Sequence, residues 1–137
     1  MKIKDFKPDT REPGIPKPDK PAMPHVVTVQ DGVPVRYPGS DAVGVRVVHP
    51  SNPKAYTEAM GIVMFYLPPH AALPIGSHWT EETYCILKGH GVMTLAGTPT
   101  PVGPGSFVHL PPWCEHGIEN TGNEGMEVLL CTVPPNP

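Results

Sequence analysis

From residue 43 onward, short apolar runs alternate with turn chemistry. The runs are "VGVRVVH" (43–49), "GIVMFYL" (61–67), "TYCILKG" (83–89), "GVMTLAG" (91–97), "SFVHL" (106–110) and "MEVLLCTV" (126–133). Between them lie "HPSNPKAY", "PPHAALP", "KGHG", "GTPTPVGPG", "PPW" and "NTGNEG". Strands of about five to eight residues punctuated by Gly, Pro and Asn mark a sandwich or barrel. Gly61, Val63, Phe65 and Leu67 share one face of their run, Ile62, Met64 and Tyr66 the other. With both faces apolar, that strand is expected in the core. Only "NPKAYTEAM" has room for a helical turn, and no long internal repeat is visible. The pattern predicts one all-β domain over residues 42–137.

The preceding segment, residues 1–41, reads differently. Residues 1–40 hold eight prolines, in spacings such as "EPGIPKPDKPAMP". Proline fixes φ and has no N–H to donate, so this arm is expected to be neither helix nor inner strand. It reads as an extended Pro-rich arm, with "HVVTV" (25–29) as a candidate edge strand along a partner subunit.

Composition narrows the function classes. No apolar stretch approaches the roughly 18 to 20 residues that span a bilayer, so no membrane partner is expected. The charged start "MKIKDFKPDT" has no apolar core of a secretory signal. Cys85, Cys114 and Cys131 are an odd set without CxxC spacing, which suits a reducing compartment, and a cytoplasmic location is expected. Residues 1–20 hold six Lys/Arg against four Asp/Glu, and residues 21–137 four against nine. The main domain is therefore acidic, which argues against a nucleic-acid partner.

The chemistry gathers in the second half. Five of the seven histidines fall between residues 70 and 116. Period-2 alternation places Glu82, Tyr84 and Ile86 on one strand face, and His116, Ile118 and Asn120 on another. If both faces point into one barrel, Glu82 and His116 meet inside it, and His78 reaches the same point. Two imidazoles and a carboxylate form a set that suits Fe(II) with open positions, and equally Mn, Ni or Zn. GXSXG, P-loop, HEXXH and zinc-ribbon spacings are absent.

The arrangement resembles the cupin superfamily, whose first motif reads G(X)5HXH(X)3–4E(X)6G and whose second reads G(X)5PXG(X)2H(X)3N. Here Glu82 and Gly89 keep the first spacing, His78 matches the second histidine of HXH, and Gly76 stands where the first would be. Gly105, Pro111, His116 and Asn120 keep the second motif, with Trp113 at its glycine position. The resemblance implies a double-stranded β-helix, or jelly-roll barrel, commonly a homodimer through its arm or edge strands. It also implies a divalent metal (Fe, Mn, Ni or Zn) on His78, Glu82 and His116, and a small-molecule substrate.

Around that centre, Tyr84 is the candidate general acid or substrate donor. Trp79 and Trp113 flank the two motif loops as a candidate apolar lid, and His109 is a candidate substrate contact. His70 and His90 read as surface residues, and nothing basic beside Cys114 marks it as a nucleophile. The expected function is a metal-dependent enzyme, dioxygenase-like or lyase-like. The competing readings are a metal-free module that binds a small ligand, and a structural cupin whose arm is the working part.

Overall fold

The computed structural model describes residues 1–136. Ten strands follow a 3-10 turn at Val29–Asp31: β1 Val33–Arg36, β2 Val43–Val48, β3 Gly61–Leu67, β4 Ala72–Gly76 and β5 Glu81–Lys88, then β6 Gly91–Leu95, β7 Thr98–Val102, β8 Phe107–Leu110, β9 His116–Asn120 and β10 Met126–Val133. They form a six-stranded sheet in the order β1-β2-β3-β10-β5-β8 and a four-stranded sheet in the order β4-β9-β6-β7. All pairings are antiparallel. Two such sheets, face to face, make the jelly-roll barrel that the alternation of short strands predicts. Among the described residues, no helix is long and apolar enough to cross a membrane.

The core lies between the sheets, where Val63, Phe65, Leu67, Ile86, Met93, Ile118, Val128 and Leu130 are nearly or wholly inaccessible. In β3 it is Gly61, Val63, Phe65 and Leu67 that face inward, while Ile62, Met64 and Tyr66 are half-buried on the outer surface. Asn120, fully buried at the end of β9, donates from Nδ2 to the Leu67 and Glu124 carbonyls at 3.0 and 2.8 Å, and its Oδ1 accepts from Gly122 N–H at 2.9 Å. One side chain thus ties the turn before β10 to the end of β3.

The structure revises the sequence reading at the arm boundary and at two edge strands. Val33–Arg36 forms a strand paired with β2, so the sheet begins inside the segment assigned to the arm. Residues 52–60 form turns, in keeping with a run too short for a helix. "ALPIG" and "TPTPV", assigned to turns, are strands β4 and β7. Each is an edge of the four-stranded sheet. Pro99 and Pro101 lie two apart, so both missing N–H groups fall on the same side of β7.

Candidate metal centre

β5 and β9 supply the centre from opposite sheets. On β5 the even-numbered residues Glu82, Tyr84 and Ile86 turn inward and are buried. On β9, His116, Ile118 and Asn120 do the same. His78 stands in the bend before β5, half-buried, with its Nε2 3.1 Å from Glu82 Oε2. His116 Nε2 is 3.4 Å from the same oxygen. The three ligand atoms lie within 4.8 Å of one another. The His78 and His116 rings meet edge to face at 5.0 Å, and the Tyr84 ring lies 5.9 Å from His116.

The outer nitrogens of both rings are committed. His116 Nδ1 donates to the Cys114 carbonyl at 2.8 Å. His78 Nδ1 lies 2.9 Å from the Thr80 carbonyl and 2.7 Å from the Thr80 hydroxyl. A carbonyl oxygen can only accept, so each Nδ1 carries a proton. In the neutral rings both Nε2 lone pairs then point at a carboxylate, three acceptors with no donor among them. Only a cation reconciles that arrangement, either a bound proton or a metal ion. Backbone carbonyls holding the far nitrogens are the usual support of histidine metal ligands. The residues fit a divalent metal.

Burial pushes the His116 imidazole down, but hydrogen bonding to Glu82, together with the Cys114 carbonyl, outweighs it and holds the pKa above the ordinary value. Burial, then the Glu82 charge and Tyr37, push the Tyr84 phenol well up. Two adjoining cavities of about 210 and 220 Å³ open onto the cluster, sharing Leu73, His78, Tyr84 and His116. The first also reaches Gly76, and the second Glu82, Tyr37, Leu130 and Asn136. A separate cavity of about 220 Å³ at Asp41, Tyr66, Lys88 and Glu127 contains none of the ligand residues.

A family model described as the cupin domain matches residues 63–133. The chain is a cupin. It is 34% identical over 97 residues, 66% of this chain and 71% of the other, to an uncharacterised protein of Methanocaldococcus jannaschii. An oxalate-binding protein of Thermotoga maritima is 35% identical over 68 residues, 49% of this chain and 56% of that one. The crystal structure of a predicted oxalate decarboxylase from Thermotoga maritima superposes with a TM-score of 0.68 at 25% identity, over 80% of this cupin and 99% of that chain.

Sequence reasoning brought His78, Glu82, His116 and Tyr84 to one place, and the structure brings them together there. Three further candidates lie elsewhere. His109 pairs with Thr83 on the outward parity of β8, whereas its neighbour Leu110 pairs with Glu82 inside. It bonds Thr83 Oγ1 and Glu81, both at 3.0 Å, and lines neither cavity. Trp113 takes a φ of 67°, the left-handed turn that the motif's glycine serves. Its N–H donates to the His78 carbonyl at 2.8 Å while the side chain goes to solvent, the residue being 66% exposed. Trp79 is 60% exposed and, like Trp113, lines neither cavity.

Among the site residues that escaped the sequence reading are two from outside the motifs. Tyr37 lines the ligand cavity from the segment after β1, packed edge to face on Phe65 at 5.4 Å. Asn136 donates from Nδ2 to Thr80 Oγ1 at 3.1 Å and so reaches His78 through one hydroxyl. Neither carries a local spacing that ties it to the histidines.

Proposed function

We propose that this cupin is a metal-dependent enzyme acting on a compact organic acid, with a divalent ion held by His78, Glu82 and His116. What carries the reading is the paired commitment of both Nδ1 atoms to carbonyls, which leaves both Nε2 atoms aimed at Glu82. Fe, Mn, Ni or Zn bound there supplies a Lewis acid with positions left open for an oxygen ligand. The chain's own residues do the rest. Tyr84, its pKa raised, keeps its proton at neutral pH and serves as a hydrogen-bond donor and proton source rather than a base. Leu73 and Leu130 keep the walls apolar and restrict water. A volume near 220 Å³ selects a small substrate.

The relatives named for oxalate binding and predicted oxalate decarboxylation support a carboxylic acid and favour lyase-like over dioxygenase-like chemistry. The test is metal analysis of the purified protein beside His116→Ala. Wild type is expected to carry or take up one divalent ion per chain, and the variant to lose it. A wild type that cannot be loaded with Fe, Mn, Ni or Zn sinks the reading.

A second reading, binding without turnover, draws support from Gly76, which leaves three ligands where the full motif has four. Incubating the loaded protein with oxalate separates the two. Disappearance of oxalate supports the enzyme, and retention of bound, unchanged oxalate supports the binder.

A further inference from the structure

The cavity has a polar end that the ligand set does not use. Tyr37 Oη is buried and has no hydrogen-bond partner among the described residues. Arg46 Nε, on β2, is in the same condition. Arg46 pairs with Val63, whose side chain is wholly buried between the sheets, so it lies on the inward parity of β2. Its charge acts on the Tyr37 phenol, as does that of Glu82. Buried donors are normally paired, and an orphan hydroxyl lining the site, with a second orphan donor on the inward face of β2 whose charge it feels, points to a missing acceptor.

The surrounding chain is shaped to place that phenol. Phe65 fixes the ring at an interplanar angle of 85°. Gly44, opposite Phe65 in the β2–β3 register, leaves the space, since a Cβ there would fall 2.5 Å from Tyr37 Oη. Burial, then the Glu82 charge, raise Tyr37 to about 12, with Arg46 opposing, so the group is a neutral donor and not a base. Tyr37, Gly44 and Arg46 all precede the 63–133 region matched by the family model.

We infer that Tyr37, supported by Arg46, is a specificity-determining residue that receives a second carboxylate of the substrate, one that does not touch the metal. The substrate class is then a small diacid, chelating the metal through one end and accepting at its other carboxylate from the Tyr37 hydroxyl. The inference rests on the metal reading above, and deepens it.

The experiment uses Co(II)-loaded protein, titrated by calorimetry and by its visible spectrum with glycolate, malate and 2-hydroxyglutarate. All three offer the same hydroxy-acid chelate, but only the last two carry a distal carboxylate. Wild type is expected to prefer one of the diacids over glycolate by about tenfold, the scale of one charge-assisted hydrogen bond. Tyr37→Phe and Arg46→Gln are expected to abolish that preference while keeping Co(II) content and glycolate affinity. Gly44→Ala, which crowds the hydroxyl, should act like Tyr37→Phe. Failure to take up Co(II) overturns the metal reading and this inference with it. Co(II) uptake with no diacid preference in wild type, or a preference untouched in Tyr37→Phe, overturns this inference alone.

Discussion

Gly76 on β4 lies directly opposite His116 on β9 in the register of the four-stranded sheet. It also lines the cavity over the ligands, and a Cβ built there meets nothing within 4 Å. The position that lacks the motif's first histidine is thus beside the candidate metal ligands and sterically open, with no positive φ to oppose a side chain. Gly76→His is therefore expected to fold normally and to tighten metal binding, while filling space a substrate would use. Competition with a coloured chelator measures the first effect, and oxalate turnover or binding the second. Gains in both would show that the glycine is mere loss of a ligand and not an opening for substrate.

The six apolar runs emerge as six strands of the barrel, and the parity that buries Glu82, Tyr84 and His116 was readable because their strands are regular. The strands that were not legible are β1, β4 and β7, and all three are sheet edges containing proline: Pro34, Pro74, and Pro99 with Pro101. In sequence a proline reads as a breaker. At an edge it costs little, because the unpaired side of the strand needs no donor. The same effect hid Tyr37, which follows the proline-bearing β1 and enters the site only through the β1–β2 pairing. His109 was misplaced by a single residue of parity, since Leu110 and not His109 shares the face of Glu82.

Metal affinity and the stability of the metal-free protein are expected to depend on pH in opposite senses. The fold raises the His116 pKa above the ordinary histidine value of about 6.5. Its pairing with Glu82 thus stabilises the metal-free protein below that value, and the contribution is lost as pH rises through the folded pKa. Metal requires the neutral imidazole, so affinity grows over the same interval. Thermal melts between about pH 5.5 and 8.5, with and without Zn(II), check this. The Tm increment produced by metal should widen as pH rises. A constant increment would mean that His116 is not a ligand.

Thr80→Val is expected to weaken metal binding without unfolding the barrel. The Thr80 hydroxyl stands between Asn136 Nδ2 and His78 Nδ1, at 3.1 and 2.7 Å. Loss of an outer-shell partner commonly costs 10- to 100-fold in metal affinity, and here the Thr80 carbonyl still holds Nδ1 at 2.9 Å. About tenfold is the expected loss, measured by chelator competition. Asn136→Ala should reproduce part of it. Unchanged affinity in both would reduce the hydroxyl to a structural contact.

The outer face of the six-stranded sheet carries an apolar row from β2 to β8. Val45 pairs with Met64, Met64 with Leu129, Leu129 with Cys85, and Cys85 with Phe107. Every residue in that row points away from the core, and Phe107 is 74% exposed, with Leu87, two residues along β5 from Cys85, 49% exposed. A row free of charge can face a copy of itself across a two-fold axis, because nothing in it repels its own image. We therefore propose a homodimer that buries this face, to be tested against strand exchange through His25–Val29. A stable interface of this kind takes roughly 800 Å² from each partner, and a charge at its most exposed apolar residue should disrupt it. Light scattering at micromolar concentration is expected to give a dimer for wild type and a monomer for Phe107→Glu, with unchanged circular dichroism. Deleting residues 1–29, which removes the His25–Val29 segment, should leave the dimer intact. A monomeric wild type, or a dimer lost only on that deletion, would reject the sheet face as the contact and return the arm to consideration.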